Sequence, residues 1–182
     1  MPDFRPNLPR LARPLTLAMA LSPVGLLSLV LTRYARAIAR GHPAMFRRLG
    51  PHGGARFLID PTDLPVALLL EPALGQPQVT VLRRPAVACV RADARIAGSL
   101  SALLGMVHGA FDGDALFFSR DLVVEGDTAA VVALRNAMDD AELDLTAELA
   151  ALAGPLAPGI GPLSALIERR TGVVLHRPAE AP

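Results

Sequence analysis

Ser99-Leu100-Ser101-Ala102-Leu103-Leu104-Gly105-Met106-Val107-His108-Gly109, and after it Asp114-Ala115-Leu116-Phe117-Phe118-Ser119-Arg120-Asp121-Leu122-Val123-Val124-Glu125-Gly126-Asp127, is the stretch that decides how this chain is built. In the first piece Leu100, Leu103, Leu104 and Val107 recur at the spacing of one helix face. Ser99 is placed to cap that helix, because its hydroxyl accepts a backbone N–H left unpaired in the first turn, and Gly109 ends the run. The second piece changes period. Over a strand from Ala115 to Val124, Leu116, Phe118, Leu122 and Val124 share one parity, interrupted by Arg120, while Phe117, Ser119, Asp121, Val123 and Glu125 share the other. The first parity faces an interior. Arg120 within it reads as half of a buried ion pair, with Asp121 or Asp127 as candidates, or as a residue near a sheet edge that meets a polar ligand end. The pair is favoured, because an unpaired buried guanidinium is costly. Gly126 and Asp127 read as a turn and an N-cap for a helix starting near Thr128, with Val131, Leu134 and Met138 along it.

Upstream, Pro51-His52-Gly53-Gly54 breaks the pattern and opens a compact unit. Arg56 to Asp60 is a short strand candidate, Pro61 to Pro65 a turn, and Val66 to Leu70 a continuous apolar strand. Leu74 to Gln78, containing Gly75 and Pro77, is the next turn, and Val79 to Arg83 the next strand. From Val87 to Ile96, Arg91, Asp93 and Arg95 alternate with Val90, Ala92, Ala94 and Ile96, which reads as a strand with one solvated face. Four strands in succession imply an antiparallel sheet, and its apolar side must cover the helix 100–108. Strands in a run with helices grouped around them define an α+β domain.

The two pieces quoted first, together with the following Val-Ala-Leu-Arg-Asn-Ala-Met-Asp-Asp-Ala-Glu at 132–142, resemble the sterol carrier lipid-binding family. Phe117-Phe118-Ser119-Arg120-Asp121-Leu122 and Glu125-Gly126-Asp127 are similar to its subfamily of bacterial accessory factors in oxygen-independent ubiquinone biosynthesis. The likeness covers residues 24–148 and is sharpest over 97–142. It implies a sterol-carrier-like fold, a roughly five-stranded and mainly antiparallel sheet packed by helices around an apolar cavity. It also implies the ligand, a prenylated quinone or other hydrophobic lipid, and other ubiquinone biosynthesis proteins as partners. The expected divisions are an extension at 1–23, a basic amphipathic helix at 24–50, the lipid-binding domain at 51–153 and a Pro/Gly-rich segment with a short helix at 154–182.

Composition sets the outer bounds. At 182 residues the chain suits one core. Its apolar fraction of 52% against 4% aromatics makes that core aliphatic, and its mean hydropathy is +0.40. The single Cys89, inside the apolar run Val87 to Val90, excludes an internal disulfide and reads as a small buried hydrophobe. All 18 basic residues are Arg, and the net charge of +1 hides an asymmetry. Eight Arg face the lone acid Asp3 between Met1 and Gly50, whereas ten acids face Arg120 and Arg135 between Asp112 and Glu148. A basic front without interleaved aromatics points to a membrane surface or an acidic partner rather than to nucleic acid.

That front is ambiguous in a second way. Arg5, Arg10 and Arg13 precede the apolar stretch Leu15 to Leu31, with Ala18-Met19-Ala20 placed like a cleavage site, so it imitates a signal peptide. Ser22, Pro23 and Ser28 interrupt it, and it is too short and too polar for a span. With Leu27 at zero and about 100° per residue, Val30, Leu31, Tyr34 and Ile38 fall within about 60°, and Arg33, Arg36 and Arg40 fall opposite. The result is a basic amphipathic helix with Pro23 in its first turn and Gly41 and Pro43 at its end. It serves either to dock on its own domain or to rest on anionic lipid through Arg33, Arg36 and Arg40.

Catalytic patterns are absent. His42, His52, His108 and His176 show no metal spacing, and His108 with Asp112 and Asp114 makes at best an accidental oxygen-rich loop. There is no nucleophile elbow, Walker loop or dinucleotide fingerprint, and Gly159-Ile160-Gly161-Pro162 breaks the last of these. Asp139, Asp140, Glu142 and Asp144 read as a solvated helix end. The expectation is a cytoplasmic lipid-binding protein without catalysis, cofactor or metal, with the inner membrane as a surface it touches. Its cavity is expected to be lined by Leu68, Leu70, Val79, Val81, Leu100, Leu104, Val107, Phe118 and Leu122. The alternative is a general phospholipid carrier or an interaction module whose greasy surface docks a partner enzyme.

Overall fold

Aliphatic runs bounded by Pro and Gly become the sheet. In the computed structural model, which describes residues 23–108 and 122–141 and only the backbone of Val107 and His108, β1 spans Phe57–Pro61, β2 Val66–Glu71 and β3 Gln78–Arg83. These form an antiparallel meander with Phe57 opposite Leu70 and Leu68 opposite Val81. The turn between β2 and β3 is a short 3₁₀ segment, Ala73–Gly75. β4, Ala94–Gly98, then pairs with the free edge of β1, and β5, Leu122–Gly126, closes the order β3-β2-β1-β4-β5.

Two expectations need correction here. β4 runs parallel to β1, with Ile59 opposite Ile96, so the sheet is mixed rather than antiparallel throughout; the other three pairings are antiparallel. Once the meander has used one edge of β1, the chain must cross the sheet from β3 to reach the other edge, and such a crossover delivers a parallel strand. Nor is Val87 to Ile96 one strand. Pro85 sits in the first turn of a short helix, α3 (Arg84–Val87), and the chain extends again only at Ala94. Cys89 lies in this connection and is exposed, not buried.

Helices cover one face. α1 (Val24–Gly41) is broken from α2 (Pro43–Arg48) at His42, and a 3₁₀ turn, Gly50–Gly54, leads into β1. α4 (Leu100–His108) begins as Ser99 accepts the Ala102 N–H on its hydroxyl at 3.2 Å. α5 (Thr128–Asp140) begins as Asp127 accepts the Ala130 N–H at 2.9 Å, so both expected caps form. Before it, Gly126 holds φ +84, and an added Cβ there would lie 2.3 Å from the carbonyl oxygen of Asp93. Residues 115–121 of the expected strand, with Arg120, and the expected loop with Asp112 and Asp114 lie outside the described residues.

Candidate binding face

Register sorts the strands into two faces, and the faces differ in chemistry. Phe57, Ile59, Val66, Leu68, Leu70, Val79, Val81, Ala94, Ile96, Leu122 and Val124 lie opposite one another on the helix-covered face. Their packing divides into two clusters. One joins Phe57, Ile96 and Leu122 to Leu49, to Ala102, Leu103 and Met106 of α4, and to Ala130, Val131 and Leu134 of α5. The other joins Leu64, Val66 and Val81 to Leu68, to Leu100 of α4, and to Val24, Leu27 and Leu31 of α1.

Part of the covered face is less buried than the cluster centres. Ile59 on the central strand, Leu68 and Leu70 on β2, and Leu100 and Leu104 on α4 are all only half-buried, although they belong to the covered face. Leu58, Ala67 and Leu69, their neighbours on the other face, are buried. Ile59 and Leu70 pack against the larger cluster and Leu68 and Leu100 against the other, so this partly exposed set marks the seam where the two clusters meet.

The described members of the expected lining set lie on the helix-covered face and α4. Leu68, Val81 and Leu100 meet in the α1-side cluster, Leu70 and Leu122 pack in the larger one, and Val79 is buried on the same face. The side chains of Val107 and Phe118 lie outside the described residues. Ile59, outside the expected set, shares the parity of Phe57 and lies on the same face.

α1 is fastened to the sheet by a device the sequence reading passed over. The outer edge of β3 is unpaired in the ladder, and α1 covers it with a stripe of polar side chains four residues apart. The Ser28 hydroxyl accepts the Val81 N–H at 2.9 Å. Thr32 Oγ1 accepts the Val79 N–H and donates to the Val79 carbonyl, both at 3.0 Å, and Arg36 Nε donates to the Pro77 carbonyl at 3.2 Å. Exposed strand edges invite further pairing, and these side chains occupy the edge instead. The apolar stripe thus docks on the protein's own domain. Arg33, Arg36 and Arg40 remain on the exposed side, with Leu26, Leu29 and Val30 also about half exposed.

The other face carries a locked polar cluster beside the buried Leu58, Ala67, Leu69 and Ala97. Asp60, 1% exposed, accepts from Arg84 Nη1 and from Arg95 Nε and Nη2, at 3.1 and 2.6 Å for Arg95. Arg84 also donates to the carbonyls of Pro61 and Leu64, and Arg95 Nη1 to Glu125 at 2.8 Å. Burial pushes the Asp60 carboxyl up, but hydrogen bonds from Arg95 and Arg84, with their charges, hold it below its ordinary value. Arg95 is raised by its hydrogen bonds to Asp60 and Glu125. A cavity of about 370 Å³ opens on this face between Leu58, Ala94, Arg95 and Glu125 and the segment from Val87 to Asp93. None of the expected lining residues borders it. Its polar wall is already engaged, Arg95 as above and Asp93 by the Arg56 N–H at 2.7 Å. Among the described residues there is no group of three metal-ligating side chains, and no helix is long and apolar enough to cross a membrane.

A mixed five-stranded sheet with one aliphatic face under helices defines an α+β protein of the sterol-carrier type. The pattern of the SCP-2 sterol transfer family matches residues 36–139, and the chain belongs to that family. Among solved structures it is similar to a UbiJ-SCP2 ubiquinone synthesis protein, with 21% identity, 67% of this chain and 96% of that one covered, and a TM-score of 0.54. It is more distantly similar to apo sterol carrier protein 2 from Yarrowia lipolytica, with 15% identity, coverage of 68% and 98%, and a TM-score of 0.43. No curated protein matches the chain.

Proposed function

We propose that this protein is a non-catalytic carrier that holds a prenylated quinone intermediate in its apolar seam and presents it to other proteins of oxygen-independent ubiquinone biosynthesis. The observation that carries the reading is the half-buried set Ile59, Leu68, Leu70, Leu100 and Leu104 at the centre of the helix-covered face. A seam of aliphatic side chains without a charged group recognises length and greasiness, which is what a polyprenyl tail offers. Val79, Val81 and Leu122, with Val107 and Phe118, complete the proposed lining. The quinone part of the reading is supported by the resemblance of residues 117–127 to the UbiT accessory factors, and the UbiJ-SCP2 neighbour is itself titled a ubiquinone synthesis protein. The carrier works in the cytoplasm and touches the inner membrane, where Arg33 and Arg40 face anionic headgroups while Arg36 is partly held by Pro77.

Lipid extraction and mass spectrometry of the protein purified from its host test the ligand directly, and a prenylated quinone or its precursor is the expected species. Leu104→Trp tests the site. An indole placed in the seam takes space the ligand needs, so bound lipid falls while the fold persists, because a cavity tolerates volume that a packed core does not. If Leu104→Trp unfolds the protein and lipid per folded molecule is unchanged, the seam is ordinary core.

A further inference from the structure

Leu74 is 80% exposed, and its backbone is held at φ +53, ψ +40, directly after Ala73 at φ +44. Left-handed conformations cost L-residues energy and are normally given to Gly or Asn. Here two consecutive ordinary residues adopt them, and the outcome is an isobutyl group projected into water from the β2–β3 turn. Backbone strain that displays an apolar side chain is a pointer to function rather than to packing.

The surroundings say what meets it. The turn packs against α1, α2 and the 3₁₀ segment Gly50–Gly54, where Leu74 Cδ2 would lie 2.9 Å from a Cβ added to Gly53. Because Ser28, Thr32 and Arg36 meet Val81, Val79 and Pro77 in turn, α1 runs antiparallel to β3 and ends beside this turn. That brings Arg40, one helical turn beyond Arg36, to the same end of the molecule. α2 contributes Arg47. Both are exposed, and neither has an ion-pair partner among the described residues. From Pro23 to Ile59 the chain contains no acidic residue. An exposed leucine beside Arg40 and Arg47, with the nearby acids Glu71 and Asp140 already held by Arg56 and Arg48, is complementary to a bilayer carrying anionic headgroups.

We propose that the β2–β3 turn is a membrane wedge, Leu74 entering the acyl region of an anionic bilayer while Arg40 and Arg47 lie at headgroup level. The wedge deepens the carrier reading and takes its purpose from it, because a carrier that stands on this end keeps α1 fastened along β3 while it exchanges its ligand. Its test does not depend on which lipid is carried.

The chain contains no tryptophan, so Leu74→Trp in the full-length protein makes a single reporter. With vesicles of phosphatidylcholine and phosphatidylglycerol, its emission should shift to the blue and be quenched by brominated acyl chains. Both effects should weaken as salt rises and vanish on phosphatidylcholine alone. Leu74→Asn keeps a residue that tolerates the left-handed turn, so stability should hold while vesicle binding falls by about tenfold or more, the worth of one leucine moved into hydrocarbon. Water-like emission from the Trp variant on vesicles that sediment it overturns the proposal, and so does undiminished binding of the Asn variant. Failure of the unsubstituted protein or of the Trp variant to sediment with anionic vesicles also overturns it. None of these outcomes alters the lipid extracted from the purified protein, on which the carrier reading stands or falls by itself.

Discussion

Thr32→Val removes one oxygen from α1 and leaves its shape, its β-branched stiffness and its helix propensity nearly unchanged. The loss is two hydrogen bonds at 3.0 Å, one accepted from the Val79 N–H and one donated to its carbonyl. Each is worth about 1 kcal/mol net, so about 2 kcal/mol is expected, and more if water fails to reach the abandoned groups. Val79 is only 8% exposed, which favours the larger figure. Adding Ser28→Ala removes the bond from the Val81 N–H and about another 1 kcal/mol. The effect should be local as well as global, because those bonds fasten one helix to one strand edge. Amide exchange read by NMR should quicken about thirtyfold at Val79 in Thr32→Val, the equivalent of 2 kcal/mol, while amides of β1 and β4 respond only to the global change. Urea unfolding gives that global change. Wild-type exchange at Val79 and Val81 with an unshifted urea midpoint would refute the reasoning, and would mean that burial of Val24, Leu27 and Leu31 alone holds the helix.

Acid should act through Asp60. Its folded carboxyl titrates below the ordinary value of 3.8, so the unfolded chain binds the proton more readily. The stability it contributes is therefore present above that value and lost as pH falls through the lower folded one, so the decline sets in near pH 3.8 and continues below it. Asp60→Asn should unfold more easily at neutral pH and show a flatter acid limb in urea titrations taken pH by pH. Gly126→Ala should cost at least about 2 kcal/mol in the same assay, because it combines a positive φ with a contact to the Asp93 backbone that has no room to yield.

The parts of the fold legible in the sequence were those written locally. Val66 to Glu71 and Gln78 to Arg83 announced themselves by aliphatic runs between Pro and Gly, and Ser99 and Asp127 by standing one residue before a helical period. Segment 87–96 misled because Arg91, Asp93 and Arg95 alternate with small apolar residues by accident of a connection. In the structure Asp93 brackets Arg56, its N–H donating to the Arg56 carbonyl at 2.9 Å, and no ladder runs through residues 88–93. The parallel pairing of β1 with β4 was illegible because nothing in either strand names its partner. At the candidate site, parity and helix spacing brought Leu68, Val81 and Leu100 together correctly. The same spacing rules had nothing to say of Ser28 and Thr32, since a hydroxyl in a helix is read as a weak helix former until the strand edge it serves is seen.

On the carrier reading proposed above, one fold must persist with its seam filled and empty, and the two sheet faces divide that requirement. On the helix-covered side the contacts across the seam are aliphatic and non-directional, so emptying it removes burial but breaks no hydrogen bond. On the other side Asp60, Arg84, Arg95 and Glu125 tie β1, the β3–β4 connection, β4 and β5 by directional, charge-assisted bonds whose members do not line the seam. Such bonds fix strand register whatever occupies the far face. The edge at β3 is held in the same manner by Ser28, Thr32 and Arg36 rather than by apolar contact alone. Polar ties at the back and at one edge therefore hold the sheet, and on that reading the aliphatic face would be free to trade its contacts with α1 and α4 for contacts with a ligand.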